Sequence, residues 1–117
     1  MSGRDDIVRL RHMLDAGKEA MEFVKSAQRS DLDRDRKLAL SLVRLVEIIG
    51  EAAQQVSETC RALCPEIPWS DIAGTRDRLI HGYYNVDYDI IWQIVSVDVV
   101  TLVPQLEELI KQCSFEK

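Results

Sequence analysis

The chain has 117 residues, room for one domain and too little for two ordinary ones. Hydrophobic residues make up 46% and charged residues 30%, which excludes a disordered chain, while 5 Gly and 3 Pro leave room for long helices rather than a turn-rich β fold. The net charge of −5 excludes broad, charge-driven nucleic-acid binding, so any nucleic-acid role has to rest on a small local cationic pocket.

No apolar run approaches the roughly 18 residues that span a bilayer. The first residues, Met1-Ser2-Gly3-Arg4-Asp5-Asp6, lack a signal-peptide pattern. A cytoplasmic protein with no membrane partner is expected. Cys60, Cys64 and Cys113 form an odd, sparse set, which points to reduced thiols. His12 and His81 are the only imidazoles, too few to complete a zinc site with them, so no metal and no cofactor is expected.

In chain order, residues 4–28 predict a first helix, with Ile7, Leu10, Leu14, Met21 and Val24 as its apolar stripe and His12 off it. Gly17 weakens its middle slightly. Arg29 to Lys37 is a mixed-charge turn, with Ser30 or Asp31 to cap the next helix. Residues 33–62 predict the longest helix. Its main stripe is Leu38, Leu42, Leu45, Ile49, Ala52 and Val56. Beside it runs a small-residue strip, Ala39, Val43, Val46, Gly50 and Ala53, that permits close approach of another helix. Arg44, Glu47 and Glu51 lie opposite, either as a solvated face or with one carboxylate meeting an arginine from another element.

Pro65-Glu66-Ile67-Pro68 makes a rigid connector. Trp69 to about Tyr83 predicts a third helix with Pro68 at its start. Asn85-Val86-Asp87 breaks it, and Asp87 caps a last helix over residues 88–112. That helix is apolar nearly all round, so it is buried on several sides, one of them suited to a second subunit. Pro104 is expected to kink it.

The segment Arg76-Asp77-Arg78-Leu79-Ile80-His81-Gly82-Tyr83 concentrates the chemistry. On a helical wheel Arg76 lies amid Trp69, Ile72, Leu79, Ile80 and Tyr83, all within about 60°. A guanidinium there needs either a paired anion, with Glu47 or Glu51 available, or an anion-binding cleft. Asp77 and His81, four apart, sit about 40° from each other, so the carboxylate can fix the imidazole tautomer as in a general acid/base pair. A structural histidine near a helix end is the alternative. Arg76 and His81 fall about 140° apart on a straight helix, so a long arginine, an early helix end near Gly82 or a symmetric partner's copy would be needed to join them.

Arg76-x4-His81-x-Tyr83 resembles the R-x4-H-x-Y motif of the HEPN superfamily, specifically the HepT-like toxins. Glu47-Ile48-Ile49-Gly50-Glu51-Ala52, Pro65-Glu66-Ile67-Pro68-Trp69, Val86-Asp87 and the Pro104-containing last helix are similar as well, so the resemblance covers most of the chain. It implies an all-α, antiparallel bundle of four to five helices as one domain over 1–117, forming a homodimer whose motifs face each other across a cleft. It implies a metal-independent RNase acting on RNA, with His81 as general acid/base and Arg76 stabilising phosphate charge; the residue after the Arg is typically polar there, as Asp77 is here, which the spacing above casts as the orienting residue. Tyr83 would be adenylylated by a nucleotidyltransferase antitoxin. Relatives often follow the motif tyrosine with an aromatic and a glycine; here Tyr84 is followed by Asn85, which tolerates a left-handed turn. The alternative from another class is a non-catalytic helical partner that docks a nucleotidyltransferase or binds nucleotide.

Overall fold

Two adjacent apolar strips on one long helix let it serve as the centre of a bundle, touched from two sides. Helix α3 (Arg36–Gln55) is that centre, and it buries residues of both strips, among them Ala39, Leu42, Leu45, Val46, Ile49 and Ala53. The computed structural model describes residues 3–81 and 85–115, with side chains for 5–75, 77–79 and 85–113. Helix α1 (Gly3–Phe23) packs on one side of α3. Helices α5 (Trp69–Ala73) and α6 (Thr75–Leu79) pack on another. The last rod runs from α7 (Tyr88–Gln93) through a π turn (Ile94–Asp98) into α8 (Val99–Phe115), and α8 lies against α1. Short helices α2 (Asp31–Arg34) and α4 (Glu58–Arg61) fill the connections. The fold is all-α apart from one ladder of two-residue strands, β1 (Ile80–His81) and β2 (Asn85–Val86).

The expected first helix is present but shorter, and its most buried positions are Leu10, Met13, Ala16 and Ala20. Gly17 does more than weaken it. A Cβ there would meet the Val103 side chain at 3.2 Å, so the glycine sets how closely α1 approaches α8. The long second helix is divided. Asp35, not Ser30 or Asp31, caps α3, its carboxylate accepting from the Leu38 N–H at 3.1 Å. Asp31 instead accepts from the Gln28 N–H at 2.7 Å, and that bond, with Arg34 beside it, holds the carboxyl below its usual range. At the other end Val56 adopts an extended backbone and stops α3. Arg61 then donates to the carbonyls of Ala53 and Val56 at 2.8 and 3.2 Å while lying over the Trp69 ring.

The two ends of the bundle are pinned differently. At one end the buried Asp6 carboxylate accepts from the Ser57 N–H at 2.9 Å and its hydroxyl at 2.7 Å, tying α1 to the start of α4. Cys60 and Cys113 bring their Sγ atoms to 3.9 Å at that same end. At the other end Arg29 donates to Asp89 at 2.6 Å and to Asp33 at 3.1 Å, and these bonds raise its pKa above the usual value.

The last helix starts as expected, with Asp87 accepting from the Asp89 and Ile90 N–H groups at 3.0 and 3.2 Å. The chain remains helical through Pro104. The irregularity falls earlier, in the β-branched π turn, where the Ser96 hydroxyl donates back to the Trp92 carbonyl. Taken alone the Tyr88–Cys113 helix is long and apolar enough to cross a membrane. Here it is a core helix, with Ile91, Val95, Val99, Leu106 and Leu109 buried.

Candidate functional site

The third helix is where expectation and structure part. It breaks at Gly74 and ends at Leu79, not near Tyr83. The Leu79 carbonyl accepts from the Asp87 N–H at 2.8 Å, and Ile80 and His81 pair with Val86 and Asn85 as antiparallel strands. The signal was in the sequence: Ile80 and Val86 flank Gly82 and Asn85, apolar residues around turn formers, which is a hairpin pattern.

The correction changes the site's geometry. Arg76 sits on α6 and His81 on β1, so the 140° helical separation does not apply to them. The four-residue helical relation between Asp77 and His81 is absent for the same reason. Asp77 lies exposed in the first turn of α6, its N–H donating to the Gly74 carbonyl at 3.1 Å. The side chains of Arg76 and His81, and Tyr83 as a whole, lie outside the described residues.

The motif segment is seated on α3. Gly50 makes this possible: a Cβ there would meet the Ile72 carbonyl at 3.1 Å, the close approach anticipated for the small-residue strip. Gln54 donates to the Ala73 carbonyl at 3.0 Å. Between α3 and α6 remains a space of about 140 Å³ bounded by Val46, Glu47, Gly50, Glu51 and Leu79. Glu47 and Glu51 both lie near Arg44 of their own helix, at 3.6 and 3.9 Å. Glu47 is largely covered and faces the motif helix, whereas Glu51 is exposed.

A second groove, of about 330 Å³, is also lined by Val46 and Ile49 of α3 and separates α6 from the last rod, with Thr75 and Arg78 on one wall and Val97, Asp98 and Thr101 on the other. Val97 and Val100, on that rod, are 50% and 48% exposed, large for valines on an otherwise buried helix. Sequence reasoning passed over Thr75 and Arg78, because only the break at Gly74 shows which way they turn.

Cys64 follows α4, and burial together with the Glu66 carboxylate pushes its pKa up, away from a reactive thiolate. Among the described residues no three of His, Cys, Asp and Glu gather into a ligand set.

Comparison with known proteins locates this arrangement. A family model described as "Ribonuclease HepT-like" matches residues 13–113. A protein of Thermococcus cleftensis with the provisional name ribonuclease HepT is 37% identical over 97 residues, covering 80% of this chain and 88% of its own. A candidate RNase of Caldanaerobacter subterraneus is 36% identical over 88% of this chain and 92% of its own. A candidate RNase of Methanocaldococcus jannaschii is 32% identical over 92% and 98%. No solved structure matches the chain.

Proposed function

This chain belongs to the HepT-like ribonuclease family, and from that membership we propose that it is the toxin of a toxin–antitoxin pair, a metal-independent endoribonuclease acting in the cytosol and silenced by adenylylation. The family match over residues 13–113, which spans the whole motif, is the observation that carries the reading. His81 takes the proton of a ribose 2′-hydroxyl, whose oxygen attacks the neighbouring phosphorus. The bond to the 5′-oxygen breaks, and that oxygen is protonated as it leaves. The products are a 2′,3′-cyclic phosphate and a 5′-hydroxyl. Arg76 stabilises the negative charge that gathers on the phosphate oxygens. Asp77 orients the imidazole across the junction of α6 and β1.

A single imidazole cannot be base and acid at the same instant, so the second proton comes from the motif of a second copy. The exposed Val97 and Val100, beside the groove that Thr75 and Arg78 line, favour a partner seated against α6 and the π turn. Light scattering at micromolar concentration is expected to give about twice the 13.4 kDa chain mass. A monomer at that concentration overturns the two-copy cleft.

Tyr83 is the position at which a nucleotidyltransferase antitoxin attaches AMP. The adduct adds bulk and negative charge to a site built for a phosphate, blocking it by sterics and repulsion. After incubation with the cognate nucleotidyltransferase and ATP, the peptide holding Tyr83 is expected to gain the mass of AMP on that residue. Modification mapped only to Tyr84, or none with an active partner, rules Tyr83 out.

A further inference from the structure

The end of the bundle that carries the β1–β2 hairpin also carries a group of exposed cations without an ion pair among the described residues. Its location follows from two contacts. Asp87 ties the hairpin base to Leu79, and two residues later Asp89 pairs with Arg29 in the connection between α1 and α2. Beside that connection lies an open depression of about 790 Å³ between the end of α1 and the start of α3. Lys25, Arg36 and Lys37 line it, all exposed, and none forms an ion pair with another described residue.

The depression also holds acids. Asp31 pairs with Arg34 and accepts from the Gln28 N–H, Asp35 accepts from the Leu38 N–H and keeps its charge, and Glu22 stands beside them, so four cations face three carboxylates. Phe23, 40% exposed, stands at the same depression beside Lys25. From the level of Val46, which borders Leu79, to Lys37 is about 14 Å of helix rise, within reach of a strand bound at the motif.

We infer that this depression is a track for single-stranded RNA, in which Lys25, Arg36 and Lys37 hold the phosphates of nucleotides flanking the scissile bond and Phe23 stacks on a base. Cations interleaved with an exposed aromatic are what a sequence-tolerant single-strand site requires. An acidic protein partner would use the charges but has no need of an exposed Phe23 stacking face. The inference rests on the ribonuclease reading for its substrate. It also resolves how a chain of net charge −5 engages a polyanion: by a local cationic surface at one end.

The test uses the whole protein and an uncleavable 2′-O-methyl oligouridylate, with affinity followed across salt concentration. Replacing Lys25, Arg36 and Lys37 together by alanine is expected to flatten the slope of log K against log salt by about 2, and Lys37→Ala alone by about 0.7. Phe23→Ala is expected to weaken binding roughly tenfold with the slope intact. Because the three cations are exposed, the melting temperature stays put. Cleavage of a dinucleotide, too short to reach the depression, continues at the same rate in the triple variant. A wild-type protein that binds with the expected slope but cleaves no dinucleotide sinks the ribonuclease reading and leaves the track standing. An unchanged slope and affinity in the triple variant overturns the track. So does a triple variant that keeps the oligouridylate and loses only an acidic protein partner.

Discussion

Replacing His81 by alanine is expected to lower RNA cleavage by about 10²–10⁴-fold, the usual worth of a positioned general acid or base. Arg76→Ala is expected to cost a similar factor, because phosphoryl chemistry depends on charges placed where the transition state becomes negative. Asp77→Asn should cost less, since the role proposed for this exposed residue is to orient the imidazole and not to meet the phosphate. Arg76 has a second role open to it. Glu47 faces the motif helix from α3, largely covered and 3.6 Å from Arg44, and an ion pair there would make Arg76→Ala leave its carboxylate with the exposed Arg44 alone. Breaking a buried pair in that way costs about 3–5 kcal/mol. A thermal melt separates the two roles. An unchanged melting temperature with lost cleavage identifies a group acting on phosphate; a large drop identifies a structural ion pair. His81→Ala has no such ambiguity, because its strand is held by backbone pairing to Asn85.

The second large effect is expected at a residue that touches no substrate. Leu79 is fully buried at the end of α6, bordering with Val46 and Gly50 the small space between α6 and α3, and its carbonyl anchors the hairpin through Asp87. Leu79→Ala removes the packing that seats the hairpin and should cost about 2–5 kcal/mol of stability. It should also lower cleavage by about 10²-fold at temperatures where the protein is still folded, because small displacements of catalytic groups are expensive. Leu10→Ala provides the comparison. Leu10 is equally buried, but on α1 one turn from the Asp6–Ser57 pin, at the opposite end from the hairpin. It should lose comparable stability and keep its cleavage rate below the melting transition. Equal losses of activity in both variants would mean that Leu79 matters only for folding.

These expectations show which parts of the molecule a sequence reveals. The two strips on α3 were legible because apolar and small residues repeat at helical spacing, and both are buried as that spacing requires. Gly50 was legible as a point of close approach, though not that its neighbour would be the Ile72 carbonyl. Helix ends were less legible. Ser30 and Asp31 were the caps expected, yet Asp35 caps α3, while Asp31 is drawn into a pair with Arg34. The π turn around Ser96, upstream of Pro104, was not legible either.

At the site, the motif's residues were found by resemblance, but helical periodicity misled about their relation. A periodic apolar pattern continued through Ile80 and Tyr83, so the wheel extended α6 past its end. Local hairpin propensity and the Leu79–Asp87 bond won over that pattern. The cationic depression was not legible because Lys25 lies on one side of the α1–α3 connection and Arg36 and Lys37 on the other. In the linear sequence that stretch reads as mixed charge. Folding sorts it, pairing Arg29 and Arg34 with acids and leaving the other three cations facing the depression.

The measurement that bears most directly on the central claim is cleavage of a defined RNA by the purified protein in excess EDTA, beside the same strand carrying a single 2′-deoxy nucleotide at the cut site. Metal-independent attack by the ribose hydroxyl predicts that the RNA is cut at an undiminished rate to a 2′,3′-cyclic phosphate and a 5′-hydroxyl, that the deoxy-substituted strand survives, and that His81→Ala abolishes the reaction. Cleavage that stops in EDTA and returns with added divalent metal, or that proceeds through the 2′-deoxy position, would contradict it.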